Sequence, residues 1–130
     1  MMFHARGHPN IKATHKSTIE FTKADYVTLE GDCIVGINAD FDSAQLKRFV
    51  KQHKAVQITI KTGGLKEVIF AKTNPDFDDE HELVVRLGEY ASPRTFAVRA
   101  DKAAKHLSRE LIKALQMGSH MEVQIEAAVE

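Results

Sequence analysis

The sequence predicts a single α+β domain over residues 1–130, rich in β-structure, with mostly antiparallel strands and two helices packed on them. Three observations carry that expectation. Short runs of alternating apolar and polar residues, the pattern of half-buried strands, recur along the chain. The apolar period lengthens to that of a helix only twice, each time behind a capping residue. And 130 residues is the size of one domain, which buries roughly two thirds of its unfolded surface and holds a core without staples.

The elements follow in order. From Ile11 to Thr22 the odd positions read Ile, Ala, His, Ser, Ile, Phe and the even ones Lys, Thr, Lys, Thr, Glu, Thr. A strand is expected there, entered through a His8-Pro9 turn. Tyr26 to Leu29 and Cys33 to Ile37 continue the strand pattern around Gly31. Asp42 then caps a helix running to His53, with Gln45 as its reciprocal partner, Phe41 and Leu46 as a hydrophobic staple, and Leu46, Phe49 and Val50 as its apolar stripe. Val56, Ile58 and Ile60, a Gly63-Gly64 turn, and Val68 with Phe70 make a hairpin. The acidic, Pro-containing stretch 73–80 is a loop, and strands near 82–87 and 95–99 follow it. Asp101 is expected to cap a second helix over 102–117, with the stripe Ala104, Leu107, Leu111, Ala114 and Leu115 and Gly118 closing it. Met121, Val123, Ile125 and Ala127 form a last strand.

A faint repeat runs through this order. Ile37-Asn38-Ala39-Asp40 and Val98-Arg99-Ala100-Asp101 both end a strand and lead into a helix. In the same register Leu46 matches Leu107, Arg48 matches Arg109 and Val50 matches Leu111, which suggests two related strand-helix-strand halves.

Composition narrows the function classes. Eighteen basic residues against eighteen acidic ones leave no net charge, which argues against a partner held by bulk electrostatics such as duplex DNA or an anionic membrane. The lone Cys33 excludes an internal disulfide framework and fits a reducing compartment. No apolar run approaches the roughly 18 residues that cross a bilayer, and Met-Met-Phe-His-Ala-Arg-Gly lacks the order of a signal peptide, so a cytoplasmic location is expected.

Chemistry is expected first on the Ile11–Thr22 strand, whose apolar face carries His15 and Ser17. A Gly31-Asp32-Cys33 turn on a neighbouring strand would let Asp32 orient His15 as a general base and offer Cys33 as a thiol nucleophile. His15, Asp32 and Cys33 are therefore the candidate catalytic residues. His8 and His15 are also candidate metal ligands, so a divalent metal is the cofactor these side chains suggest, although their spacing matches no zinc motif. Plainer roles stand beside these: His8 shaping its turn, His15 as a hydrogen-bonded interior histidine, Cys33 as a small hydrophobe. Arg6, His8, Lys12, His15 and Lys16 make the N-terminal region cationic, and Arg94 and Arg99 answer them later. Such groups hold phosphate or carboxylate. With Asp40, a carboxylate at a strand end that suits a ligand site as well as a cap, the candidate ligand-binding residues are Arg6, His8, Lys16, Asp40 and Arg94. No glycine-rich phosphate loop, serine nucleophile elbow or RNA-stacking aromatic motif is present.

Gly7-His8-Pro9-Asn10-Ile11 with Ala13-Thr14-His15-Lys16-Ser17-Thr18, then Glu20-Phe21-Thr22, Gly31-Asp32-Cys33-Ile34-Val35-Gly36 and Ala39-Asp40, resembles the archaeal family called domain of unknown function 371. Arg94-Thr95, Ala100-Asp101-Lys102-Ala103-Ala104 and Arg109-Glu110-Leu111 extend the resemblance over nearly the whole chain. It implies a β-rich domain, sandwich-like with a jelly-roll-style arrangement and attached helices, in a cytoplasmic archaeal protein. It implies no reaction, ligand or catalytic residue. The residues themselves suggest a pocket for a small anionic ligand, serving binding or metal-assisted or acid–base catalysis. The rival is an RNA- or ribonucleoprotein-binding module without catalysis, built on Arg6, Lys12 and Lys16. A homo-oligomer is compatible with either.

Overall fold

The computed structural model describes residues 1–129. Its elements are β1 (Met2–Arg6), β2 (Thr18–Thr22), β3 (Ile34–Gly36), α1 (Ser43–Gln52), β4 (Ala55–Thr62), β5 (Leu65–Thr73), β6 (Glu82–Arg86), β7 (Thr95–Val98), α2 (Arg109–Gln116) and β8 (His120–Ala127). The class is the expected one, α+β and rich in strands. One sheet holds all eight strands in the order β1-β8-β4-β5-β7-β6-β2-β3. The pairs β2–β3 and β6–β7 are parallel and the others antiparallel. Beyond β3, Arg6 and Ile37 exchange both backbone hydrogen bonds (2.8 and 2.9 Å), and Asp40 N donates to His4 O (3.0 Å). Both ends of the sheet thereby meet, and it closes into a barrel, which removes the exposed edges of an open sheet.

The repeat legible in the sequence is the symmetry of this barrel. Exchanging β1 with β5, β2 with β6, β3 with β7 and β4 with β8 returns the same cyclic strand order. The registers repeat as well: Glu20 pairs with Ile34 and Phe21 with Gly36 across an irregularity, and Val84 pairs with Thr95 and Val85 with Ala97 across another. Asn38 and Arg99, at equivalent places, both have φ of 51°, the left-handed region that side chains rarely adopt. Asp40 accepts the amide of His4 (2.6 Å) and Asp101 that of Phe70 (3.1 Å). Those two aspartates are strand-joining groups of the fold.

The helices depart from the expected register. α1 is capped by Asp42, whose carboxylate accepts Gln45 N at 3.2 Å, and it begins just beyond Asp40. Asp101 caps nothing, because its carboxylate is taken by β5. The chain instead makes a single 3₁₀ turn at Ala104–His106, and α2 starts at Arg109 behind Ser108, its true cap. Leu46 therefore corresponds to Ile112, one turn inside each cap, rather than to Leu107, and the matches of Arg48 with Arg109 and Val50 with Leu111 are displaced with it. Leu46, Phe49 and Val50 of α1 and Leu111, Ile112 and Leu115 of α2 join one apolar core with Ile19, Phe21, Ile58, Leu83, Phe96 and Met121.

The expected long strand from Ile11 shortens to Thr18–Thr22. Ala13 has φ of 50°, and the His15 ring accepts the amide of Ser17 (3.1 Å), so the chain bends before it can pair. Alternation still holds in part, since Ile11 and Ala13 are buried while Lys12, Thr14 and Lys16 are exposed.

Candidate functional site

On β2, Ile19 and Phe21 enter the core, so Thr18, Glu20 and Thr22 point to the opposite face. That face should meet water. All three are nonetheless buried, because the segment 23–33 folds back over β2 and delivers Val27, itself buried, above it. Between this strap and the sheet lies a cleft of about 270 Å³, with Glu20, Thr22 and Glu82 beneath and Tyr26, Thr28 and Gly31 in the strap.

Glu82 stands opposite Thr22 on β6, one step diagonal from Glu20. Glu20 has 6 % of its side chain exposed; its Oε1 lies 3.3 Å from Arg94 Nη1 and 3.8 Å from Cys33 Sγ. Burial foremost, then the Glu82 carboxylate, push the Glu20 pKa from 4.5 up to about 7, against the lowering effect of Arg94. With both groups ionised, Glu82 Oε2 is a buried oxygen with no donor; a proton on Glu20 can supply one, as the raised pKa requires. Cys33 is pushed the same way, to about 11, by burial first and then by Glu20 and Asp32. Near neutrality it is a thiol that donates to Glu20 and is held back from acting as a nucleophile.

Of the residues singled out in the sequence, Cys33 and Arg94 converge on Glu20. Asp32 sits beside Cys33, and its carbonyl accepts the amides of Thr14 (3.0 Å) and His15 (3.2 Å), so the tie between Asp32 and His15 runs through the backbone. The His15 ring holds the Ser17 amide, and the His8 ring holds the Asn10 amide at 2.9 Å. Each Nδ1 is thus an acceptor in a local turn, leaving Nε2 as the nitrogen outside that contact. Arg6, Lys16 and Asp40 are exposed and stand apart from the cleft, Arg6 at the barrel closure, Lys16 on the bend, Asp40 against His4. Among the described residues no three His, Cys, Asp or Glu side chains are grouped as metal ligands.

Glu20 and Glu82 escape sequence reasoning for a clear reason. In the alternation Glu20 falls on the polar, even positions, and Glu82 follows an acidic loop, so both read as solvated charges. A signal was available in the repeat: the place equivalent to Glu20 is held by Val84 and the place equivalent to Glu82 by Thr18.

Fold and site together define a small pseudo-symmetric β-barrel domain that carries a buried Glu20 and a half-buried Glu82 on neighbouring strands of one of its two halves. The family model described as Domain of unknown function (DUF371) matches residues 3–128, and the chain belongs to this family. It is 37% identical over 123 residues to an uncharacterised protein of Methanocaldococcus jannaschii, a match covering 90% of this chain and 91% of the relative. No helix among the described residues is long and apolar enough to cross a membrane.

Proposed function

We propose that the protein binds a small polar ligand in the Glu20–Glu82 cleft and exchanges a proton with it. The observation that carries this is the internal comparison the barrel provides. Val84 and Thr18 fill the equivalent positions of Glu20 and Glu82, so the architecture accepts apolar and hydroxyl side chains there. A buried carboxyl at Glu20 beside a half-buried one at Glu82 costs stability rather than adding it, which makes function the better reason for their presence. A carboxyl with a pKa near 7 inside a cleft is matched to general acid–base work at neutral pH. The expectation of an anionic ligand passes from the histidines to Arg94, which is 46 % exposed and spends one nitrogen on Glu20; its other donors suit an anionic group on the outer surface beside Glu20. Cys33 then acts on the Glu20 proton, Asp32 acts on Cys33, and His8 and His15 keep a ligand role only through Nε2.

The test is a ligand screen by amide NMR with small carboxylates, phosphorylated metabolites and divalent metals. Saturable shifts centred on Glu20, Tyr26 and Glu82 are expected. Shifts centred on His8 and His15 instead, or none anywhere, would overturn the reading.

A second reading, RNA binding without catalysis, has one observation in its favour. Lys105 N donates to the His15 carbonyl (3.1 Å), which gathers exposed Lys105 near exposed Lys12 and Lys16. Binding of single-stranded RNA that weakens steeply with salt and with Lys16→Ala would favour it.

A further inference from the structure

Resting on the reading of the Glu20–Glu82 cleft as a ligand site, we propose that what enters it is a planar heterocycle with an amidine-type edge, two adjacent N–H donors that dock on the carboxyl pair while the ring lies against Tyr26. The hydrogen-bonding inventory of the cleft comes first. Its lining contains no Lys, Arg, His, Asn or Gln side chain. Thr22 Oγ1 already accepts the amide of Ala24 (3.1 Å). What remains beneath the strap, besides the Thr22 O–H, is carboxyl oxygen of Glu20 and Glu82. An anionic group inside the cleft would add a like charge beside those carboxyls. An N–H pair meets carboxyl oxygens in the forked geometry that carboxylates accept best.

The ring half of the proposal stands on a separate observation. Tyr26 lines the cleft and is 64 % exposed, a large aromatic surface left at the rim. Tyr90, on the corresponding strap of the other half, is also exposed, but its ring is covered by the Arg86 guanidinium at 5.1 Å. No ring or cation covers Tyr26 among the described residues. An uncovered aromatic beside hydrogen-bond acceptors is the arrangement by which proteins hold unstacked nucleobases and related rings. A cleft of about 270 Å³ lies at the small end of ligand sites, which suits one ring system and excludes large ligands.

Binding of this kind has a proton consequence. The charged and titratable groups around the pair are Arg94, Cys33 and Asp32 with Glu20 and Glu82 themselves. A cationic N–H donor stabilises both carboxylates at once, so the proton held by Glu20 leaves to solvent. The ligand-bound form therefore carries one proton fewer wherever Glu20 was protonated beforehand.

The experiment is calorimetric titration of the full chain with benzamidine, an aryl amidinium, and with benzoate, its carboxylate counterpart of the same shape. Benzamidine should bind, release a proton to the buffer below pH 7, and bind on the order of tenfold more tightly at pH 8 than at pH 6, following a Glu20 pKa of about 7. Glu82→Gln, which keeps the side chain's shape, and Tyr26→Ala should each weaken it tenfold or more with unchanged circular dichroism. Benzoate should bind more weakly. Benzoate binding as well as benzamidine, or benzamidine failing while Glu20 still titrates near 7, overturns this inference alone and leaves the acid–base site standing. Failure of both probes with Glu20 titrating near 4.5 overturns the inference and the site beneath it.

Discussion

Glu20 and Val84 are cross-strand partners at the centre of the β2–β6 pair and hold equivalent positions in the two halves of the barrel. One half has a carboxyl where the other has an isopropyl group. The carboxyl is the less stable choice once ionised, and the sign of that effect is fixed. Its pKa rises from 4.5 to about 7 on folding, so between those values the folded state binds more protons than the unfolded one. The stabilising effect of this proton is complete below about pH 4.5 and is lost as pH rises through 7. At full extent the loss is about 3 kcal/mol. The difference in unfolding free energy between wild type and Glu20→Gln, measured by chemical denaturation from pH 4.5 to 8, should move in favour of the variant as pH rises. A constant difference would contradict it.

Cys33 provides a second check. With a pKa of about 11, only about a thousandth of it is thiolate at pH 8. Alkylation by iodoacetamide should be far slower than for a free thiol at pH 8 and should quicken in Glu20→Gln, which removes a charge that raises the thiol pKa. Labelling as fast as the free thiol would show that Cys33 is exposed or activated.

His15 is predicted to act mainly through its turn. Replacing it with Ala removes the acceptor of the Ser17 amide and should cost about 1 kcal/mol, with ligand binding at the Glu20 cleft unchanged. Loss of ligand binding without loss of stability would return His15 to the centre of the site.

Gly7 is a packing constraint. A Cβ there would lie 1.9 Å from the Leu115 backbone oxygen near the end of α2, and a carbonyl cannot yield as a flexible side chain does. Gly7→Ala should destabilise by about 1–3 kcal/mol or more in urea unfolding. A neutral outcome would mean that α2 is free to shift from β1.

The sequence makes the strand-rich class, α1 and its Asp42 cap, the β4–β5 hairpin and the strand half of the repeat legible, because each rests on local alternation, capping or turn residues. What it hides depends on contacts distant along the chain. Asp101 reads as a helix cap, but its carboxylate is claimed by Phe70 N from β5, and Ser108 takes over the cap. The Ile11–Thr22 alternation is real in its burial, yet a left-handed Ala13 and the His15–Ser17 contact keep its first half out of the sheet. Glu20 reads as a surface charge because alternation reports which face a residue occupies, and only the fold-back of residues 23–33 buries that face.

The central claim is that the buried Glu20, beside the half-buried Glu82, holds a proton near neutrality. Carboxyl carbon NMR of the full chain, followed from pH 4 to 9 with Glu82→Gln in parallel, tests it most directly. The account predicts a Glu20 midpoint near 7 that falls in Glu82→Gln, where the neighbouring charge is gone. A Glu20 midpoint near 4.5 in the wild type, unmoved by the substitution, would contradict it.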